Sequence, residues 1–572
     1  MKKAEGAEQK AEGRRRKAVR TIDKAPAGWR FAFACLLLSA FCLLSFGCRR
    51  RAGDAFVMVL EAEQKSIHPL LGSDAASERY RQLMYNSLMK KNERLDYVPE
   101  LAESATVAPD GLSVTFVLRD GVKFHSGKPL TSADVKYTFE QLLRPNSPSP
   151  KSPSFFETVP ASGGQGGGAN SNAAKPAGGQ PATAKLPFIT AVETPDARTV
   201  VFRLRRQWLE LYANMLPIGI IPEGSFDTLE QSPNGTGPFK FVAQNKGQRY
   251  VDMAANEEYW EGAPSIKKLR VRVILDAGTQ QAELMSGHAH IALNTALTPD
   301  AVVALGKSPH LTVAQSPGAN IQYLGINTEA EPLNDARVRR AVAYAVNREV
   351  LVKYLLQGQG RIAHSMVPPE SWAYAEGQVY NFDPDQAKRL LDEAGLPDPD
   401  GDGPRPRATK PIVMKISATN AIGRQSAGVI QNDLKRVGLN VSIETLEDNT
   451  LREQLVNGQY HLTIGRWVGG NQDPIFLRDL FTFLMGKGNY RFNRSRYSNP
   501  EVDKLLGEAV NTADRARAAE LYKRAQEIIS RDMPTLPLWY PNNIAIAQKT
   551  VGNIQVDPSA DWKFMRSVTW QR

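Results

Sequence analysis

The chain has 572 residues, 42% hydrophobic and 23% charged, a globular composition with apolar material for more than one core at about 150 residues per domain. Its formal charge of +11 is unevenly placed: residues 1–47 hold ten Lys/Arg against four Asp/Glu, leaving 61 against 56, or +5, for the rest. A surplus that small over so long a chain excludes a nucleic-acid footprint, and because all three cysteines lie at or before position 48, no disulfide can form beyond it.

The N-terminus reads as an export signal. A basic stretch to Arg30 precedes the apolar run FAFACLLLSAFCLLSFG (Phe31–Gly47), and Cys48 follows Gly47 directly. A Cys in that place resembles a bacterial lipobox, although Leu44 stands one position early and Phe46 is bulky. Cleavage is expected after Gly47, giving a signal peptide of residues 1–47 with lipidation at Cys48, whose multiple acyl chains would anchor stably. An uncleaved signal anchor is the alternative, since about 17 apolar residues reach the lower limit for a span. Either way the folded part lies outside the cytoplasm.

Strand and helix patterns then alternate. Ser113–Arg119 places Val114, Phe116 and Leu118 on one face, and Thr131-Ser-Ala-Asp134 opens an amphipathic helix with a capping-box pattern, turning Val135, Phe139, Leu142 and Leu143 inward. From Pro145 to Pro187 the chain is rich in Gly, Ala, Ser, Asn and Pro. Residues 161–185 are expected to form a disordered surface insertion, because such composition buries too little apolar surface to offset ordering. Thr199–Arg205 and Leu269–Leu275 repeat the strand alternation. After Asn334-Asp335, Val338, Ala341, Val342, Ala345 and Val346 recur at helical spacing, and Asp514 opens a helix carrying Leu521, Ala525 and Ile528 on one stripe. Interleaved elements of this kind mean α/β architecture.

Catalytic and metal signatures are absent. Gly306-Lys307-Ser308 lacks the first glycine of a phosphate loop, Ala301 standing there. No G-x-S-x-G elbow or H-E-x-x-H occurs. Asp398-Pro-Asp400-Gly-Asp402-Gly403 imitates the start of an EF-hand loop, but Thr409 stands where calcium needs a bidentate Glu, so a solvated acidic turn is expected. His288-Ala-His290 would put two imidazoles on one strand face, with no third ligand to complete a metal site. The expectation is a chain without cofactor or metal that is no enzyme.

Several blocks resemble the family-5 extracellular solute-binding proteins, which include oligopeptide-, dipeptide- and nickel-binding members. They are PELAESATVAPDGLSVTFVLRDGVKFHSGKPLTSADVKYTFE (Pro99–Glu140), SPNGTGPFKF (Ser232–Phe241), NEEYWEGAPSIKKLRVRV (Asn256–Val273) and YLGINTEAEPLNDARVRRAVAYAVNRE (Tyr323–Glu349). FDPDQAKRLLDEAG (Phe382–Gly395), RWVGGNQDP (Arg466–Pro474) and MPTLPLWY (Met533–Tyr540) continue the series across nearly all of the chain beyond the leader.

The resemblance implies a bilobal periplasmic-binding-protein-like fold of class II, a three-domain Venus-flytrap. Lobe one would combine residues 54–88, 223–322 and 542–572, an extra domain would occupy 89–222, and lobe two 323–541. It further implies a monomeric, lipid-anchored component of an ABC importer in the periplasm or on the cell-envelope exterior. Such a component captures a peptide-like or other polar small molecule by lobe closure and delivers it to a membrane permease complex. A surface adhesin or peptide chaperone on the same fold, or a binder of a metal complex, is the alternative; a secreted hydrolase would need a nucleophile or metal motif that is not found.

In peptide binders of this family a W-x-x-D-x-x-[DE]-P segment lines the site, its first acid pairing the ligand's α-ammonium. Trp467 and Asp473-Pro474 match, but Gly470 replaces that acid. An ammonium buried without its carboxylate costs about 3–5 kcal/mol, at least a hundredfold in affinity at ~1.4 kcal/mol per decade. Glu61 or Glu63 would have to substitute; otherwise the ligand is a blocked peptide, a sugar, a metal complex or another polar molecule. Trp467 is expected as a stacking wall, Tyr323 as a hydrogen-bonding wall, Asn471 as a polar anchor, and Asn294 as a further contact.

Overall fold

The computed structural model describes residues 54–160, 183–208, 210–294, 297–398, 411–469, 472–483, 492–512 and 514–571. The leader with Cys48, most of the Gly/Ala-rich insertion, the acidic turn after Asp398, and Gly470 and Asn471 lie outside them. Among the described residues no helix is long and apolar enough to cross a membrane.

Two large mixed sheets carry the fold. The first has seven strands in the order Phe239–Asn245, Tyr250–Ala255, Lys268–Val273, Phe56–Leu60, Ile291–Leu293, Asn543–Gln548, Leu311–Ser316. Its centre is Phe56–Leu60, parallel to both neighbours. That strand is an unbroken apolar run because it is covered on both faces. The second sheet runs Gly360–Ile362, Thr535–Pro541, Ile321–Ile326, Leu462–Trp467, Ile412–Ser417, Val441–Leu446. Here Ile321–Ile326 is buried at every position. One apolar cluster, with Ala341, Val342 and Ile430, packs against this sheet, while another joins Ile321 and Tyr323 to Phe476, Leu521 and Tyr522.

The chain passes between the two sheets twice. Residues 317–320 link Leu311–Ser316 to Ile321–Ile326, and Asn542 alone links Thr535–Pro541 to Asn543–Gln548. Backbone bonds pin both links: Ala319 N–H donates to Pro558 O (3.0 Å) and Asn542 N–H to Gln359 O (3.1 Å). A smaller antiparallel sheet, Ala102–Val107, Ser113–Leu118, Thr199–Leu204, Ile189–Glu193, is covered by the helix Ser132–Leu143.

The expected elements form with small differences. Ser132–Leu143 begins at Thr131 with the reciprocal capping box, and Val135, Phe139 and Leu142 are buried, Leu143 partly so. Asp335 and Asp514 cap the helices Ala336–Ala345 and Arg515–Asp532. The strand expected to reach Leu275 ends at Val273, and Leu275 is 49% exposed, because the chain turns there toward the helix Ala277–Met285. Inside the expected insertion, Thr183–Pro187 pairs antiparallel with Phe156–Pro160, so residues 183–185 are strand: backbone pairing outweighs the weak composition.

Two histidines are held neutral by the packing. His125 Nδ1 accepts the Gly235 N–H (3.3 Å) while its Nε2 donates to Gly237 O (3.0 Å), and His290 Nδ1 accepts the Val57 N–H (2.9 Å). Burial pushes each imidazole down to about 4. Between the unfolded value of 6.5 and about 4 only the unfolded chain binds these protons, so stability falls as pH drops through that window, by about 1.4 kcal/mol per pH unit for each His. Denaturant midpoints measured at pH 7, 6 and 5 should decline accordingly, and His290→Phe should flatten the decline; a midpoint constant across that range contradicts the assignment.

Candidate functional site

A cavity of about 620 Å³ lies between helices, loops and a short hairpin on one side and the end of a second-sheet strand with its following segment on the other. One wall comes from the helix Ala75–Met84, with Glu78, Arg81 and Gln82, and from Asp561 and Lys563 near the C-terminus. Another comes from the short hairpin Met89–Lys91/Tyr97–Pro99, from Lys151, and from the segment 213–217. The opposite wall belongs to the second sheet: Trp467 at the end of Leu462–Trp467, then Gln472, Asp473 and Ile475, and Phe476 and Asp479 of the helix Phe476–Phe481.

Hydrogen bonds cross this cavity. The Tyr97 hydroxyl donates to Asp473 Oδ2, while Asp473 Oδ1 accepts the Ile475 N–H at 2.9 Å, so both oxygens of that carboxylate are engaged. Lys91 Nζ donates to Gln472 Oε1 (3.2 Å) and lies 5.7 Å from the Tyr97 ring centroid, its cross-strand neighbour. Beside the cavity Arg478 pairs with Glu210 at 2.8 Å, and Arg515 pairs with Asp96. Burial raises the Tyr97 phenol well above its ordinary value, with Asp473 adding to the effect.

The lining is rich in charge. Lys151 Nζ sits 2.5 Å from Glu78 Oε1 and 2.7 Å from the carbonyls of Pro69 and Pro217. Arg81 shares Glu78 at 2.5 Å. Lys90 pairs with Glu261 and Lys563 with Glu100 at 2.5 and 2.6 Å. Asp479 meets Arg478, and Asp561 Oδ1 accepts from Gln82 Nε2 at 2.7 Å. Burial pushes Lys91 and Lys151 both down to about 8, against the raising pull of Asp473 on the first and Glu78 on the second.

Of the residues singled out from the sequence, Trp467 lines the cavity, its ring 6.3 Å from those of Phe476 and Phe492. Asn471 lies outside the described residues. The others are placed elsewhere. Tyr323 is 8% exposed inside the second sheet, its ring lying over Gly465 of the neighbouring strand, where a Cβ would come within 2.4 Å of its hydroxyl. Asn294 ties two strands of the first sheet, accepting from the Ile544 N–H (2.8 Å) and donating to Asn543 Oδ1 (3.0 Å). Glu61 is paired with Arg79 (2.8 Å) and Glu63 with Arg249 (2.7 Å), so neither replaces the acid missing at position 470.

The histidine pair also separates. His290 stacks on Phe56 and meets Trp570 edge-on, while His288 is exposed beside Glu283. Among the described residues no group of three or more His, Cys, Asp or Glu side chains is arranged to hold a metal. Lys91, Tyr97, Lys151, Glu78 and Asp561 were not anticipated. Three-residue strands show no periodicity, and nothing local marks a lysine that will face a cavity.

A charged and aromatic cavity lined from separate parts of an α/β chain marks the candidate binding site. Residues 96–489 match the bacterial extracellular solute-binding proteins, family 5 middle region, and the chain belongs to that family. It is 30% identical over 493 residues to di/tripeptide-binding protein 2 of Pseudomonas aeruginosa, covering 82% of this chain and 86% of that protein. It is 29% identical over 500 residues to heme-binding protein A of Haemophilus influenzae, covering 83% and 85%. The structure of HbpA2 from Haemophilus parasuis superposes with a TM-score of 0.73 at 25% identity, over 91% of this chain and all of that one. The fold is thus the bilobal α/β periplasmic-binding-protein type, and the chain is a binding protein and no enzyme.

Proposed function

We propose that this chain is the solute-binding component of an ABC importer, capturing a peptide-like or other polar small molecule between its lobes and delivering it to a membrane permease. The cavity of about 620 Å³, walled from both lobes and bridged by Tyr97 and Asp473, carries the reading. Relatives named for di/tripeptide and oligopeptide binding support the peptide class. The lobes are taken as residues 54–88, 223–322 and 542–572 for the first and 323–541 for the second, with 89–222 as an extra domain. Residues 317–320 and Asn542 form the hinge, and a ligand touching both walls favours the closed state. Trp467 is the stacking wall. Lipidation at Cys48 would tether a monomer to a membrane, in the periplasm or on the cell-envelope exterior.

The cavity acids bear on which peptides fit. Asp473 has both oxygens engaged, Glu78 is shared by two cations, Asp479 meets Arg478, and Asp561 is bonded to Gln82 and offset by Lys91, so none offers a ligand's α-ammonium an unshared carboxylate. Isothermal titration with di- to pentapeptides, free and N-acetylated, is expected to show the acetylated forms at least tenfold tighter. Tight binding of the free peptides alone overturns that selectivity. Absence of binding by either set, with another solute retained by the protein, overturns the peptide class.

A further inference from the structure

The cations of the cavity are not equivalent. Arg81 and Lys151 share Glu78, Lys90 has Glu261 and Lys563 has Glu100, each within 2.6 Å. Lys91 differs. Among the described residues no carboxylate lies within ion-pair distance of its ammonium, whose contacts are the neutral Gln472 amide and the Tyr97 ring. On the facing wall Asp473 is turned to the Tyr97 hydroxyl and the Ile475 N–H, and Asp561 is held through one oxygen by Gln82. A partly buried ammonium in that position lacks an anionic partner and faces space large enough to admit one.

We propose that Lys91 is the ligand-recognising cation of the cleft and that the solute presents an oxyanion, a carboxylate or a phosphate, to it. This rests on the solute-binding reading and names the charge its ligand carries. The hairpin geometry sets the position: Lys91 lies directly across from Tyr97, whose hydroxyl reaches the opposite wall, so an anion at Lys91 is placed beside the contact that joins the two walls. An ammonium is a compact point charge that accepts carboxylate and phosphate alike, which is why the shared chemistry is named.

The pH dependence follows in sign. Asp473 and Asp561 face Lys91 and pull its ammonium up, while burial holds it at about 8. A bound oxyanion favours the charged form, so affinity weakens as pH rises through about 8 and binding above that pH takes up protons. Lys151 sits near the same value, but its ammonium is already bonded to Glu78 and two carbonyls, and Lys91→Arg separates the two contributions.

The test has two arms on the full-length protein. In the first, native mass spectrometry compares the solute retained by wild type and by Lys91→Met after purification from the same cells. In the second, N-acetylated tetrapeptides ending in a carboxylic acid, in an amide, or in an amide with one phosphoserine are titrated into wild type, Lys91→Arg and Lys91→Met. Wild type is expected to retain an acidic solute that Lys91→Met loses. It is also expected to bind an acid- or phosphate-bearing peptide at least tenfold tighter than the neutral amide, with the preference kept in Lys91→Arg and abolished in Lys91→Met. Unchanged melting of Lys91→Met by circular dichroism separates lost recognition from lost folding; where it does not fold, the Lys91→Arg pH profile decides. An acidic solute that is no peptide sustains the Lys91 assignment and overturns the peptide class. Acid and amide binding alike sustains the peptide class and overturns the assignment, as does a neutral retained solute or no oxyanion-dependent binding in either arm.

Discussion

Gly237→Ala is expected to destabilise the protein by about 4 kcal/mol, the size that marks a specific steric conflict. The turn Ser232–Pro238 lies against the C-terminal end of the helix Ala75–Met84, and Gly237 N–H donates to Met84 O at 2.9 Å. A Cβ on Gly237 would stand 2.4 Å from the Met84 carbonyl carbon and 2.7 Å from both Leu83 O and Tyr85 N. All three are backbone atoms at a helix end whose neighbours Leu83, Met84 and Tyr85 are fully buried, so no flexible side chain can yield. Thr236 between the glycines is itself buried and bonded to Asn86, which fixes the turn from the other side. The neighbouring Gly247→Ala, whose Cβ would meet only Asn245 Oδ1 at 3.5 Å, is the control and should leave the melting curve in place. Chemical denaturation of the two variants checks the pair. A loss below about 1 kcal/mol for Gly237→Ala would show that the turn can move away from the helix, against the packing argued above.

That same turn shows what a sequence can and cannot disclose. Gly235, Gly237 and Pro238 are legible as a tight turn before the strand Phe239–Asn245, but the helix end that makes the glycines obligatory lies some 150 residues earlier, and no local pattern points to it. Elements with long, regular burial were readable for the same reason that they are stable. Val114, Phe116 and Leu118, or Leu521, Ala525 and Ile528, repeat with the period of their backbone. The cavity was not readable in that way, because its walls are assembled from a three-residue hairpin, one helix turn, a loop after Trp467 and the C-terminal segment. Glu61 and Glu63 illustrate the difference: their place after the first strand suggested a substitute acid, yet Arg79 and Arg249, set by the fold, pair with them away from the cavity. Tyr323 likewise stands at the entry to the second sheet, and only the strand register reveals that its ring covers Gly465.

Lys151→Met is expected to cost about 3–5 kcal/mol, the loss typical of removing one partner from a buried charged cluster. The Lys151 ammonium joins three parts of the chain: Glu78 on the helix Ala75–Met84, the carbonyl of Pro69 in the loop before it, and the carbonyl of Pro217 after the helix Leu211–Met215. Its side chain is 6% exposed, so water does not replace these bonds when the nitrogen is lost. Methionine fills much of the space but leaves the buried Pro69 carbonyl and the half-buried Pro217 carbonyl without this donor, and Glu78 with Arg81 as its remaining cation. Because the losses share one network, Glu78→Gln added to Lys151→Met should cost less than the two single losses together, a coupling that a double-mutant cycle reads directly. The cluster also forms a wall of the cavity, so the single variant should weaken solute capture along with stability. A fully additive cycle, or a Lys151→Met protein as stable as wild type, would mean that this part of the wall is held by apolar packing alone and that the buried ammonium is dispensable to it.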